Sequence, residues 1–517
     1  MIPAAQGARA ARVLSGLSLA ASVAVLGLYT AHTLVLVLYP FDWSPDEGLH
    51  LDYARRLLEA PATLYARSVT PFPSAYGPLL PAFLAPVVRL AAEPLATARL
   101  LALGWTALGA LAVFLLVRQV APRGLALASC ALSLAPFDLT FWYVLVRVDG
   151  LMVALWLLAA VPLLAHWGAR APAPLSGRRI ALVSGLLLLA SLAKATAAVH
   201  ALPLVLGRWR ADRRSAWRLW ATLGATAAAA VALLQWGTDG GFVWVTRLWG
   251  AHADIPGLRK VLLVYFGERA WPVAALGVAA LLAARGRRRS LLADPALLLV
   301  LGCVLLVPAM SKQGASWNYA LPALPALAIV AGRWWGLASA PDGAPERSSF
   351  PAVASALVSG VALVLALTRV FPLPGDEDAR TAGALYAFVR RHVADSGGPI
   401  LASRPDLAYF LVGQPVEIEG SSYPPLAAAG IPGTEKILAR LQRADYTLLL
   451  ETWPWPSAGG YREAIGLSYG DAGGCNVRYY FGVVRVRAFS RRDIHRALVP
   501  PPGTRCSGPA GRASAGR

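Results

Sequence analysis

Long apolar runs separated by short polar loops fill roughly the first 370 residues of the chain. The first run covers residues 13–39, about 27 residues, and follows Arg9 and Arg12. This is longer than the apolar core of a signal peptide, so we predict an uncleaved membrane helix with a cytoplasmic N-terminus. Later runs, ending at residues 352–367, bring the prediction to about eleven spans.

Two apolar stretches depart from this pattern. Residues 79–90 are too few to cross a hydrocarbon core of about 30 Å, so we predict a juxtamembrane or re-entrant helix there. Residues 180–193 and 195–206 are two short apolar halves on either side of Lys194. We expect a tight hairpin of short helices with Lys194 at its outer tip.

After residue 370 the composition becomes that of a soluble domain. Strand-length apolar runs begin at Pro399, Leu407, Tyr446 and Tyr479, and they alternate with helical patterns at 382–392 and 434–443. Such alternation predicts a small α/β fold. The expected architecture is a polytopic α-helical membrane module (1–370), a C-terminal extracytoplasmic α/β domain (371–496) and a disordered tail (497–517).

The composition supports a membrane protein: 57% of the 517 residues are hydrophobic and 15% are charged, against about 25% charged in soluble domains. The net charge of +20 comes with arginine clusters between apolar runs, which is the pattern of cytoplasmic loops and argues against a nucleic-acid partner. The four cysteines show no metal-binding spacing. Cys475 and Cys506 lie in a polar region, and a disulfide between them would require an oxidising compartment.

A charged helix is predicted directly after the first span, within residues 41–58. Ser44, Pro45 and Glu47 stand where the N-cap, first and third positions of a capped helix would lie. At about 100° per residue, Asp46, Glu47 and His50 share an arc with leucines. The opposite arc, expected to face solvent, carries Asp52, Arg55, Arg56 and Glu59. Carboxylates on the apolar side are costly unless paired or used, so we predict a functional site there.

The arginine clusters fix the orientation of the spans, and many polar residues then fall on the outer face. They are Asp42, Asp46, Glu47, His50, Arg147, Asp149, Lys194, His252, Lys312 and Tyr319. Lysine and arginine at this level can bind a membrane-anchored phosphate, and a carboxylate can accept the proton of an incoming hydroxyl. Arg147, Lys194 and Lys312 are the candidate phosphate ligands; alternatively, each only orients a helix end.

A divalent metal is a further hypothesis. His50 lies one helical turn from Asp46 and Glu47, and His252 is available on another outer loop. Such ligands would suit Mn, Mg or Zn, whereas a histidine satisfied by ordinary polar contacts is the alternative. Asp149, two residues from Arg147, fits an ion pair as well as a metal ligand.

Several of these segments, taken in order, resemble the C-type glycosyltransferases that use polyprenyl-phosphate sugars. This group includes the protein O-mannosyltransferases, the lipid A aminoarabinose transferases and many bacterial mannosyltransferase-like proteins. The similar segments are the Asp46–Glu47 pair with YARRLL from Tyr53, YGPLLPAF from Tyr76, RVDGLM from Arg147, SLAKAT from Ser191 and NYALPALPALAI from Asn318. Tyr76 begins the segment that departs from the family pattern, because the usual basic residue and first proline are missing.

The resemblance implies a sugar on undecaprenyl or decaprenyl phosphate as donor, transferred with inversion to an extracytoplasmic acceptor. It also implies that Asp46 is the catalytic acidic residue and Glu47 its partner, in the inner membrane of a bacterium. The missing basic residue shifts phosphate recognition toward Lys194, Lys312 and Arg147. Two alternatives remain at this stage: a transporter or flippase of lipid-linked sugars, and a non-catalytic scaffold with the same fold.

Overall fold

The structure analysed is a computed structural model. It describes residues 4–44, 46–69, 71–165, 174–250, 254–284, 287–312, 316–339, 349–403, 406–418, 426–427, 431, 433–452, 460–479, 482–494 and 496–509.

Helices make up the N-terminal part of the chain. They are α1 (Ala4–Leu38), α2 (Glu47–Glu59), α3 (Leu79–Leu90), α4 (Pro94–Arg118), α5 (Arg123–Leu134), α6 (Phe137–Thr140), α7 (Val148–Leu164), α8 (Gly177–Ala193), α9 (Thr196–Ala211), α10 (Arg213–Gly237), α11 (Gly241–Gly250), α12 (Leu258–Ala283), α13 (Arg288–Leu292), α14 (Leu297–Val304), α15 (Ala323–Ser339) and α16 (Phe350–Thr368). Short 3-10 helices occur at Pro61–Thr63, Phe141–Tyr143, Val307–Ser311 and Trp317–Tyr319. Helical backbone satisfies its own hydrogen bonds, which a hydrocarbon environment requires.

Six described helices are long and apolar enough to cross a membrane, namely those within 8–38, 94–118, 213–237, 258–283, 317–339 and 350–368. A seventh is added if the bent pair 123–134 and 137–143 counts as one span, and α3, α7 and the 297–311 segment are shorter. A multi-pass membrane protein is therefore confirmed. The figure of about eleven spans stays a prediction.

Local sequence shapes two breaks between helices. The pair α5 and α6 bends by 63° at a break that contains Pro136, which is consistent with a proline interrupting the helical hydrogen bonds. Helices α8 and α9 are 17 and 16 residues long, and Lys194 is the extended C-cap of α8 between them. The predicted hairpin of short helices with Lys194 at the turn is confirmed.

The C-terminal part combines helices with one five-stranded sheet. Its elements are α17 (Asp376–Ser396), β1 (Ile400–Ala402), α18 (Leu407–Leu411), α19 (Thr434–Gln442), β2 (Leu448–Glu451), α20 (Tyr461–Ser468), β3 (Tyr469–Tyr479), β4 (Gly482–Arg491) and β5 (Cys506–Ser507). The strand order is β1-β2-β4-β3-β5, with β1 and β2 parallel and the other pairs antiparallel. The predicted α/β fold is confirmed.

Three details of this domain differ from the sequence-based expectation. The run from Leu407 forms α18 rather than a strand, and the run from Tyr479 spans the end of β3 and the start of β4. The disordered tail predicted from 497 is wrong for residues 497–509, since β5 pairs with β3 there and Cys506 forms a disulfide with Cys475. A pairing between distant segments supplies order that local composition does not indicate.

The C-terminal domain packs directly on helix α2. Gly48 of α2 lies so close to Leu407 that an added Cβ would be 2.2 Å from the Leu407 nitrogen. On the same side of α2, a carboxylate oxygen of Asp52 accepts a hydrogen bond from the Val416 N–H at 3.1 Å, and Arg55 donates to the Gln414 carbonyl. The prediction that Asp52, Arg55 and Arg56 face solvent is therefore wrong, because this domain and the 63–72 loop bury them.

Candidate active site

Helix α2 is fixed to the apolar helix α4 by a buried ion pair. Glu47 at its first position accepts from the Arg99 guanidinium at 2.8 and 2.6 Å and from the backbone N–H groups of Trp43 (2.7 Å), Ser44 (3.1 Å) and Val146 (3.2 Å). Arg99 also donates to backbone carbonyls of the 36–41 segment. Burial alone would raise the pKa of Glu47, but the Arg99 charge and these hydrogen bonds lower it below its usual range.

The contact between Glu47 and the Ser44 N–H is one half of the predicted capping box, although the helix itself begins at Glu47 with Asp46 as N-cap. Pro45 lies outside the described residues. Glu47 accepts hydrogen bonds from five donors, and these contacts hold α2, α4 and the segment before α7 together. Its predicted part in catalysis stays a prediction.

Asp46 has a different environment from its neighbour. Its side chain makes no capping hydrogen bond to α2, retains 20% exposure and forms an ion pair with Arg147. The same guanidinium nitrogen of Arg147 lies 3.4 Å from the Ser44 hydroxyl oxygen. Asp46 is therefore a carboxylate at the boundary between the buried network and open space.

Asp149 lies in the first turn of α7 and contacts Lys194 in the turn before α9. One of its oxygens accepts from Lys194 Nζ at 2.7 Å and lies 3.5 Å from the Asn318 amide nitrogen; the other accepts from the Trp142 indole at 2.8 Å. The Arg147 guanidinium lies 3.6 Å from this second oxygen. The structure thus brings together four predicted residues as an alternating chain of charges, Asp46–Arg147–Asp149–Lys194.

Aromatic side chains border this chain of charges. Arg147 stacks on the Trp142 ring, 4.1 Å from its centroid, and Lys194 Nζ lies 4.6 Å from the centroid of Tyr319. The segment of Tyr76 is held against the Lys194 turn, because Gly77 approaches the Leu192 carbonyl so closely that a Cβ would lie 1.9 Å from its oxygen. Tyr76 and Tyr319 are therefore both placed at the site.

His50 is buried beside the Tyr76 and Tyr53 rings, with centroid distances of 5.4 and 6.0 Å. Burial, assisted by the positive charge of Arg147, lowers the pKa of His50 to about 4. The imidazole is consequently neutral at neutral pH. The charges of Arg147, Asp46, Asp149 and Glu47 act on this imidazole.

Two further predicted site residues are Lys312 and His252. Lys312 pairs with Asp254 at 3.8 Å across a β-bridge. His252 lies outside the described residues. Within the described part of the chain, no three His, Cys, Asp or Glu side chains are grouped to hold a metal. Metal binding and a phosphate contact of Lys312 remain predictions.

Asp42 is a buried carboxyl behind the site. It accepts a hydrogen bond from the Tyr386 hydroxyl of α17, and the Phe41 ring stacks on Tyr386 at 5.6 Å. Burial raises the pKa of Asp42 to about 7, although the Tyr386 hydrogen bond acts in the opposite direction. This contact joins the C-terminal domain to the loop that leads to Asp46.

Three residues of the site were not predicted from the sequence: Arg99, Trp142 and Asn318. Arg99 carries a signal that could have identified it, namely a charge inside an otherwise apolar helix, which usually has a partner. Asn318 lies in a segment already quoted for the family resemblance. Trp142 has no local signal, since tryptophan is common near membrane surfaces.

No protein-family model matches the sequence, and no curated protein is similar to it in sequence. The structure, however, is similar to ArnT from Cupriavidus metallidurans bound to undecaprenyl phosphate, with a TM-score of 0.56 and 14% identity, over 93% of this chain and 99% of that one. The chain has the fold of the C-type glycosyltransferases.

Two further structures share this C-type fold. The Archaeoglobus fulgidus oligosaccharyltransferase in complex with Zn and sulfate has a TM-score of 0.51 at 12% identity, over 91% of this chain and 72% of that one. The mycobacterial arabinofuranosyltransferase AftD has a TM-score of 0.52 at 18% identity, over 92% of this chain and 40% of that one. The resemblance drawn from the motifs is confirmed at the level of the fold.

Proposed function

We propose that this protein is a membrane glycosyltransferase that moves one sugar from a polyprenyl-phosphate donor to a hydroxyl on an extracytoplasmic acceptor. One observation carries the proposal: a part-exposed carboxylate, Asp46, is paired with the buried cation Arg147, and Asp149 links Arg147 to a second buried cation, Lys194, where an outer loop meets membrane helices. This is the combination that deprotonation of a hydroxyl and departure of a phosphate require.

Asp46 is the general base in this proposal. The acceptor oxygen attacks the anomeric carbon of the sugar, its proton passes to Asp46, and the bond from that carbon to the phosphate oxygen breaks. One displacement inverts the configuration at the anomeric carbon. The polyprenyl phosphate leaves with an added negative charge, which Arg147 and Lys194 stabilise by charge-assisted hydrogen bonds.

The surrounding residues hold these groups in position. Asp149 orients Lys194 and Arg147, and Glu47 fixes the start of α2 through Arg99. Tyr76 and Tyr319 line the phosphate position, and neutral His50 packs behind Asp46. A divalent ion of the Mn, Mg or Zn type and a contribution from Lys312 or His252 are further predictions, and no step depends on them.

We assign the site to the extracytoplasmic side of a bacterial plasma membrane. The Cys475–Cys506 disulfide supports this assignment, because disulfides persist in oxidising compartments. The domain that carries it packs on α2, so the disulfide and Asp46 lie on the same side of the membrane. In this arrangement the C-terminal domain covers the outer side of α2 and can select the acceptor.

The test is transfer from radiolabelled polyprenyl-phosphate sugars by the purified protein in nanodiscs. Asp46→Asn should lower the rate by about 10²–10⁴-fold, the usual contribution of a general base. The matched control is Glu59→Gln, which removes an exposed carboxylate from the other end of α2 and should leave the rate unchanged. Transfer at near full rate by Asp46→Asn would show that the base is misassigned.

The same preparation separates the alternative functions. Movement of the lipid-linked sugar across liposome membranes without transfer would favour a transporter. Neither transfer nor movement, with any donor of this class, would favour a scaffold.

A further inference from the structure

The four charges of the described network, those of Asp46, Arg147, Asp149 and Lys194, cancel before any donor arrives. Asp46 and Asp149 supply two negative charges, Arg147 and Lys194 supply two positive ones, and His50 is neutral. A donor phosphodiester brings one more negative charge. Charges in a poorly solvated site need partners, so one of the existing carboxylates has to give up a cation to the phosphate.

Asp46 is the carboxylate suited to this loss. Its side chain is 20% exposed, whereas that of Asp149 is 1% exposed. Asp149 also receives hydrogen bonds from Lys194 and Trp142, so its release would leave several buried groups unpaired. Asp46 can instead turn to water or to an acceptor hydroxyl when Arg147 leaves it.

Arg147 is anchored independently of Asp46. Its guanidinium lies over the Trp142 ring at 4.1 Å and 3.6 Å from Asp149. Trp142 in turn donates its indole N–H to Asp149 at 2.8 Å, and its ring packs on Trp317 with a centroid distance of 4.8 Å. Trp142 therefore positions both Arg147 and the carboxylate behind it, and neither contact involves Asp46.

We propose that Arg147 exchanges Asp46 for the donor phosphate, and that Trp142 is the positioning residue that holds Arg147 during this exchange. Donor binding thus frees the Asp46 carboxylate from Arg147, so that it can accept the proton of the acceptor hydroxyl. Before the donor binds, Asp46 stays paired and is a weak base. The inference rests on the proposed function.

The exchange has a consequence for affinity that differs from its consequence for catalysis. Without the Asp46 carboxylate, Arg147 does not have to leave a partner before it contacts phosphate. Asp46→Asn should therefore bind undecaprenyl phosphate about tenfold more tightly than the wild type, the equivalent of one modest charge-assisted contact. The same variant should lose transfer.

Removal of a nearby negative charge could tighten anion binding through the electric field alone, so the experiment is a double-mutant cycle. Binding of undecaprenyl phosphate is measured by titration of the full-length protein in nanodiscs for the wild type, Asp46→Asn, Arg147→Gln and the double variant. In the exchange mechanism, Asp46→Asn no longer strengthens the binding of undecaprenyl phosphate in the Arg147→Gln background. Equal tightening in both backgrounds, or none in either, overturns the mechanism.

Trp142 is tested by two variants that separate its two contacts. Trp142→Phe keeps an aromatic face for Arg147 and loses the hydrogen bond to Asp149, whereas Trp142→Leu loses both. The stronger binding of undecaprenyl phosphate caused by Asp46→Asn should persist in the Trp142→Phe background and disappear in the Trp142→Leu background. Trp142→Phe is the milder change and serves as the test if the Leu variant does not fold. In that case, the role of the ring is overturned if Asp46→Asn no longer strengthens the binding of undecaprenyl phosphate in the Trp142→Phe background.

Failure of the inference is distinguishable from failure of the proposed function. Transfer by the wild type, lost in Asp46→Asn without tighter binding, overturns only the exchange. A wild type that neither transfers sugar nor binds undecaprenyl phosphate overturns both.

Discussion

Glu47 and Arg99 form a fully buried ion pair in which both carboxylate oxygens face the guanidinium, at 2.8 and 2.6 Å. The pair ties the first turn of α2 to α4, so the position of Asp46 depends on it. Two adjacent acidic residues thus have separate environments: Glu47 is enclosed by donors, and Asp46 is part-exposed beside Arg147.

Glu47→Gln should destabilise the protein strongly. Loss of one partner leaves the Arg99 charge buried without its counter-ion, which typically costs about 3–5 kcal/mol. Thermal unfolding of the purified variant should show this loss, whereas Asp46→Asn should unfold close to the wild-type temperature. A stable but inactive Glu47→Gln protein would instead indicate a direct chemical role for Glu47.

Lys194→Met should weaken the binding of undecaprenyl phosphate by about 10–100-fold, since a charge-assisted hydrogen bond contributes about 1.5–3 kcal/mol. Lys312→Met is the matched comparison, because Lys312 is half-exposed and paired with Asp254. Little change is expected for it. Equal losses in the two variants would place Lys312 at the phosphate and contradict the grouping described above. Lys194→Arg, which keeps the charge next to Asp149, controls for misfolding.

Asp42→Asn should alter the pH dependence of stability. Because the pKa of Asp42 is about 7 in the folded protein and near its usual low value when unfolded, its stabilising effect is full below the unfolded pKa. The effect is lost progressively as pH rises from the unfolded pKa to the folded pKa of about 7, and the total is on the order of 4 kcal/mol. Unfolding temperatures of the variant and the wild type should agree below the unfolded pKa and diverge progressively as pH rises to about 8.5, with the variant higher. A constant difference at all pH values would contradict this.

The Cys475–Cys506 disulfide should be present in protein isolated from membranes. Maleimide-polyethylene glycol should label two additional cysteines only after reduction, and the Cys475→Ser, Cys506→Ser double variant should lose this difference. Loss of the cross-link, whose cysteines are 31 residues apart in sequence, should lower stability by about 2–4 kcal/mol. The buried, unpaired Cys130 and Cys303 provide the control, since their substitution should leave the reduction-dependent labelling intact. No change on reduction would argue for a reducing compartment.

Much of the site could be predicted because its signals are local. A carboxylate on the apolar side of a short helix identified Asp46, and a lysine between two short apolar halves identified Lys194. The arginine clusters then placed Arg147 and Asp149 on the same face. Each inference needed only neighbouring residues and the thickness of a membrane.

The errors arise where distant segments meet. Asp52, Arg55 and Arg56 form a polar arc that looks solvated in isolation, but residues 414–416, more than 350 positions away, contact Asp52 and Arg55, and Thr63 and Phe72 contact Arg56. The tail after 497 has a disordered composition, yet within its described part residues 506–507 pair with β3. Trp142 could not be recognised because its role comes from the simultaneous contact with Arg147 and Asp149. Tertiary packing decides these cases, and local patterns do not contain it.

The close approach of Gly48 to Leu407 has a mechanical consequence. Because the two backbones are in direct contact, no layer of side chains can rearrange between them. The C-terminal domain therefore holds α2, and with it the neighbouring Asp46, in place. In the proposed function, a bulky prenyl donor is therefore admitted by movement of a segment other than α2. Directed flexibility of this kind would let the acid keep its place while lipids enter and depart.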